Sequence, residues 1–357
     1  MAQEAVGSSP IAHPTIYADG LQANNLQPVF FIPRAAIALF AIYLQRLLRT
    51  SIFPEDPLQL ALYSKCLSQA YNLTNSMTNI ISIDTPEILQ LLFQPPDESA
   101  DDCPAYAQDI VLTVAPGVSL NCRFYPSAPD APTLLYFHGG TESCTSFNAE
   151  GNNYVRHGIN VFLASYRGYG RSTGTPSIAS MMADGNILFA MAADWLATQG
   201  YSGPLFVMGR SLGSVCAIDI VQRHGETAKG LLIESGFCET ASLLLTLGAA
   251  PAVVPPTEAE GFDNLRKIAA IKLPTLIFHG AKDALVPVAH AEKLQAAAGA
   301  RNKQFFIIPG ATHDTVSKTG GELYYRKIKE FINEVCGLNT WRQRRREFKK
   351  GGTGESA

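Results

Sequence analysis

A doubly wound α/β fold is predicted for most of this chain, and three observations predict it. Eight short apolar runs recur between Asp109 and Ile308. Helical stretches, with apolar residues at three- and four-residue spacing, lie between many of them. The later runs show no polar alternation, as befits strands buried on both faces of a parallel sheet.

The elements follow in order. Residues 110–114 and 120–125 make a hairpin across Pro116-Gly117. The six further strands are 134–137, 161–164, 205–208, 231–233, 276–278 and 305–308. Helices are expected at 178–198, 212–224, 288–298 and 322–335. Strands alternating with helices imply right-handed βαβ crossovers, hence a mostly parallel eight-stranded sheet in a domain spanning 105–338. Residues 236–261 break the rhythm. Apolar and bearing Pro251, Pro255 and Pro256, they read either as a short cap over a site or as a plain helical connection.

Residues 1–104 read as an N-terminal extension. A mixed, polar arm precedes helices at 34–49 and 57–71, and a short helix begins at Pro86. Turn-forming and acidic residues from Gln94 to Pro104 mark the boundary. The apolar run 35–44 holds ten residues, against roughly 20 for a membrane span, so a buried or interfacial helix is expected. At the other end 339–357 form a tail, in which 341–350 carry six basic residues and one acid with Trp341 and Phe348 interleaved. That pattern fits peripheral contact with anionic lipid or nucleic acid, or a solvated helix end.

Composition narrows the function. With 46% hydrophobic residues among 357, the chain can bury a core and is not disordered throughout. Lys plus Arg number 28 against 31 Asp plus Glu, a net charge of −3, so nucleic acid is not an expected partner. Seven cysteines without a CxxC pair define neither a disulfide framework nor a zinc site. Reduced thiols, and a Met1 to Pro10 start without secretory features, point to a cytoplasmic address.

Chemistry concentrates at Gly209-Arg210-Ser211-Leu212-Gly213, between an expected strand and an expected helix. A serine in so sharp a turn needs neighbours without side chains two residues away on both sides, or strand and helix cannot approach. Its hydroxyl then stands above the sheet at a helix N-terminus. Outside that context Ser211 would simply cap the helix.

A serine hydroxyl needs a base, and the base needs an orienting acid. His313, in the loop between the last strand and the last helix, is the expected base. His138 and His279 end strands before glycine, where they position a turn or an oxyanion loop; the other four histidines fall in the arm or on helices. Asp283, after the 276–278 strand, is the expected acid, with Glu234 as its rival; Asp314 is adjacent to the base but points away. The N–H groups of Leu212 and Gly140 are the expected oxyanion donors, and Thr141 stands next to the latter at the substrate.

At these residues the chain resembles the α/β-hydrolase-fold serine hydrolases. The nearest likeness is to a branch of compact, often membrane-associated hydrolases and serine-aminopeptidase-like proteins. Ser165-Tyr166-Arg167-Gly168-Tyr169-Gly170-Arg171-Ser172-Thr173-Gly174 looks like that branch's turn after the fourth core strand. Phe262-Asp263-Asn264-Leu265 through Pro274 to His279-Gly280 looks like its approach to the acid. His138-Gly139-Gly140 departs from the branch's HGNxGN-like form, and Arg167 and Asp184 match positions that look structural. The resemblance implies hydrolysis of an ester or thioester through an acyl-enzyme, with no metal or organic cofactor. A small or lipid-like acyl compound would be the substrate. Two alternatives remain: an amide or peptide hydrolase of the same fold, and a non-catalytic scaffold that binds a lipid or protein.

Overall fold

The computed structural model describes residues 83–97 and 103–338. The helices expected at 34–49 and 57–71, the apolar run 35–44 and the basic tail lie outside the described residues. Eight strands form one sheet: β1 (Gln108–Ala115), β2 (Val118–Tyr125), β3 (Thr133–Phe137), β4 (Asn160–Ala164), β5 (Leu205–Arg210), β6 (Leu231–Glu234), β7 (Thr275–Gly280) and β8 (Lys303–Ile308). Their order is β1-β2-β4-β3-β5-β6-β7-β8. The first two pair antiparallel across Pro116-Gly117 and β2 runs antiparallel to β4, while every other pairing is parallel. Every residue of β3, β4, β6 and β7 is buried, which is why their sequences show no alternation.

The helices are α1 (Pro86–Leu92), α2 (Asn148–Arg156), α3 (Ile178–Thr198), α4 (Gly213–His224), α5 (Thr240–Thr246), α6 (Asn264–Ala270), α7 (Val288–Ala297) and α8 (Val316–Val335). One apolar core takes side chains from α1, α3, α4 and α7. A second takes Tyr154 of α2 and Tyr324, Ile328 and Phe331 of α8, so helices cover both faces of the sheet. Helices α2 and α6 lie where the sequence pattern predicts none. In α2 the run Asn-Ala-Glu-Gly-Asn-Asn dilutes the apolar period, and a Cβ at Gly151 would stand 2.7 Å from the Tyr125 ring. Helix α8 begins six residues earlier than its periodicity indicates, with a break at Gly321 (φ 49°). Among the described residues no helix is long and apolar enough to cross a membrane.

Local chemistry anchors these pieces. Ser177 caps α3, its Oγ accepting the Ser180 N–H at 3.0 Å while Ser180 Oγ accepts the Ser177 N–H. The Asp84 carboxylate accepts the Ile178 N–H at 2.7 Å, tying the chain before α1 to the same helix start. Arg167 pairs with Asp184 through two bonds of 2.7 and 2.8 Å, a structural tie.

One buried group sets a pH dependence. On α2, Glu150 Oε2 accepts a hydrogen bond from Ser317 Oγ at 3.2 Å, but Oε1 is buried without a partner. Burial, then the nearby Glu234 charge, pushes its carboxyl up to about 8 against the opposing Ser317 bond. The unfolded chain ionises this group above about pH 4.3 and the folded protein does not, so stability falls as pH rises from there towards 8. Replacing Glu150 with Gln should flatten that decline. In urea unfolding from pH 5 to 8, the variant should gain on the parent by at most about 1.4 kcal/mol per pH unit.

Candidate active site

Strand β5 passes into α4 through Ser211, whose backbone is left-handed (φ 50°). A Cβ at Gly209 would lie 2.3 Å from the Gly213 carbonyl oxygen, and one at Gly213 would lie 2.1 Å from the Phe137 carbonyl oxygen. Both glycines are therefore obligatory, and the turn lifts the serine hydroxyl clear of the sheet. The Ser211 N–H donates to the Glu234 carbonyl at 2.9 Å, which steadies the strained residue from β6.

His313 and Asp283 arrive on the loops after β8 and β7, two paired parallel strands. His313 Nε2 stands 2.8 Å from Ser211 Oγ, and Nδ1 stands 2.8 Å from Asp283 Oδ2. The N–H groups of Leu285 and Val286 donate to Asp283 Oδ1 at 3.1 and 2.8 Å, and His279 Nε2 lies 3.3 Å from Oδ2. Burial opposes ionisation of Asp283, but the bonds from His279 and His313 outweigh it and hold the carboxyl well below the usual range. With Asp283 charged, the Nδ1 proton faces it and Nε2 is free to accept the serine proton. The rival acid Glu234 points elsewhere, accepting a bond from Tyr324 Oη and lying 3.2 Å from Arg210 Nε. Asp314 accepts from Arg210 at 3.1 Å.

The loop after β3 carries Gly140. Burial lowers His138 to about 4, so its ring is neutral, and Nδ1 donates to the Gly139 carbonyl at 2.7 Å. Because a peptide is planar and trans, fixing the Gly139 carbonyl turns the Gly140 N–H the opposite way. Tyr166 Oη donates to the His138 carbonyl at 2.8 Å, and Tyr169 Oη to the Gly140 carbonyl at 2.6 Å. The Gly139 N–H donates to Glu142 Oε2 at 2.6 Å.

Ser211, His313, Gly140, Leu212 and Thr141 line one open pocket. Its apolar wall is Leu91 and Leu92 from α1, Leu243 and Leu247 from the 236–261 segment, and Leu285. Sequence reasoning names none of these leucines, because their meeting depends on tertiary packing. It also passes over Arg210, although a charged residue inside the Gly-x-Ser-x-Gly turn is a signal. Arg210 is 6% exposed and bonds Glu142, Asp314 and the His313 carbonyl, with Glu234 beside it. Among the described residues no cluster of three or more His, Cys, Asp or Glu could hold a metal ion.

A Ser-His-Asp constellation at the carboxyl ends of parallel strands, around a turn of this kind, marks a hydrolase of the α/β-hydrolase fold. The family model described as Serine aminopeptidase, S33 matches residues 128–256 and 260–319, more than half of the chain, and the chain belongs to that family. It is 30% identical to Protein bem46 of Schizosaccharomyces pombe over 215 residues, 58% of this chain and 69% of that one. Among solved structures it is similar to the Pyrococcus furiosus esterase Pf2001, with a TM-score of 0.56 at 18% identity over 68% of this chain and 98% of the other. It is also similar to a soluble variant of monoglyceride lipase from Saccharomyces cerevisiae, with a TM-score of 0.52 at 16% identity over 68% and 98%.

Removing the Arg210 charge leaves Glu142 and Glu234 unpaired in a buried setting. Arg210→Gln should cost about 3–5 kcal/mol in denaturant unfolding. Adding Glu234→Gln should recover part of that loss, as the cluster then holds one fewer uncompensated charge.

Proposed function

We propose that the protein cleaves a carboxylic ester or thioester through an acyl-enzyme on Ser211. The observation that carries this reading is the continuous chain from Asp283 through His313 to Ser211, with 2.8 Å at each junction. His313 Nε2 takes the hydroxyl proton as Ser211 Oγ attacks the acyl carbon. The carbonyl π electrons pass to oxygen, and the N–H groups of Leu212 and Gly140 hold the resulting oxyanion. The imidazolium, stabilised by Asp283, returns the proton to the departing alcohol or thiol. Water, deprotonated by the same nitrogen, then attacks the acyl carbon and frees Ser211.

Two features favour an acyl ester over a peptide. Five leucines besides Leu212 line the pocket beside Ser211. Of the two structural neighbours described, one is an esterase and the other a monoglyceride lipase. A lipid-like substrate also accords with a cytoplasmic protein that touches membrane peripherally.

Purified protein assayed on p-nitrophenyl esters from acetate to palmitate, beside an acyl-thioester, tests the reading. Turnover should vanish in Ser211→Ala, together with labelling by a fluorophosphonate probe. Asp283→Asn should keep the fold and lower kcat by about 10⁴-fold, because the imidazole loses its orienting anion. Aminoacyl-nitroanilide cleavage without ester turnover would instead support the amide hydrolase. Absence of both turnover and labelling would leave a scaffold.

A further inference from the structure

Residues 84–94 cross the active site in a way the proposed reaction has not yet used. Asp84 anchors one end at the α3 N-terminus. At the other end the Gln94 N–H donates to the Gly140 carbonyl at 2.8 Å, which already accepts Tyr169 Oη. Between the anchors the Leu92 carbonyl oxygen lies so near Gly140 that a Cβ there would stand 2.0 Å from it. Phe93 meets the rings of Tyr166 and Tyr169 edge-on, both at 6.4 Å between centroids. Leu91 and Leu92 face the pocket.

We infer that this strap is part of the active site: its backbone positions the Gly140 peptide, and Leu91 and Leu92 are specificity determinants that receive the substrate's acyl chain. The inference rests on the serine hydrolase reading above. A segment that merely filled a groove would need no backbone bond to the loop that supplies the oxyanion donor. Nor would it need to place two leucines in the pocket that Leu243, Leu247 and Ser211 also line. The second carbonyl bond matters because a carbonyl with two donors is fixed in direction; it holds the Gly140–Thr141 peptide, next in the chain to the Gly139–Gly140 peptide that carries the donor N–H, and a small misplacement of that donor costs much of its effect on the transition state. The wall matters because each methylene buried against it adds about 0.8 kcal/mol to binding, roughly fourfold in affinity.

The full chain is tested with the p-nitrophenyl ester series, in parallel with fluorophosphonate labelling. Leu91 is only partly buried, so Leu91→Trp and Leu91→Ala should both fold. Leu91→Trp should lower kcat/KM on long-chain esters about tenfold relative to acetate, whereas Leu91→Ala should move the preferred chain length upward. Gln94→Pro deletes the N–H donor, and the extended backbone of Phe93 (φ −110°, ψ 101°) suits a following proline. That variant should lower kcat about tenfold on every ester, acetate included, with KM changed less than twofold; Gln94→Ala, which keeps the N–H, should rescue kcat. Chain-length profiles that stay parallel in both Leu91 variants, with kcat unmoved in Gln94→Pro, would overturn the strap while wild-type labelling upholds the serine reading. A wild-type protein with neither labelling nor turnover would sink the reading, and the strap with it.

Discussion

The whole site depends on one backbone conformation, the left-handed Ser211. A non-glycine residue held there costs on the order of 1–3 kcal/mol, and the surroundings must over-determine it. They do so by contact: Gly209 and Gly213 let the α4 start lie against β5 and against the Phe137 carbonyl of β3. The Ser211 N–H is meanwhile held by the Glu234 carbonyl of β6. Three adjacent central strands thus fix a single oxygen atom. The loops after β7 and β8 bring Asp283 and His313 into line with that atom.

Arg210 carries this constraint into the loops. Its partners Glu142 and Asp314 lie 68 and 104 residues away in sequence, after β3 and β8 respectively. Glu234 ends β6 beside its Nε. Buried ion pairs repay little of their desolvation, so the cluster is poorly explained as a source of stability. Its effect is geometric. One planar guanidinium, reaching two loops and a strand end, holds the base loop and the Gly140 loop in register with the serine between them. Glu142 extends the link by accepting the Gly139 N–H.

Much of this was legible in the residues. The eight strands could be read because burial on both faces removes alternation and leaves bare apolar runs. His313 and Asp283 could be picked out because parallel strands deliver their following loops to the same edge of the sheet. The rest depended on packing that sequence pattern does not encode. Helix α2 leaves no periodic signal because Gly151, which the Tyr125 ring demands, and three asparagines in it erase the apolar period. The start of α8 leaves none because Gly320 and Gly321 interrupt its pattern. For Leu91 and Leu92 no local signal exists: a short helix with leucines reads the same whether it lines a pocket or fills a core.

The Ser165 to Gly174 turn shows how a motif recognised by likeness acquires a physical explanation. Its tyrosines donate to the two carbonyls that flank Gly139, and their rings receive Phe93 from the strap. Burial drives both phenols well above their usual range, so each remains a protonated donor wherever the fold persists. His138 is neutral for the same reason and keeps its Nδ1 proton on the Gly139 carbonyl above about pH 4. These three side-chain donors to the loop's carbonyls are therefore uncharged and constant through the neutral range. In the proposed reaction the loop would keep its geometry while His313 exchanges a proton with Ser211, as a site that holds an oxyanion through repeated proton transfers requires.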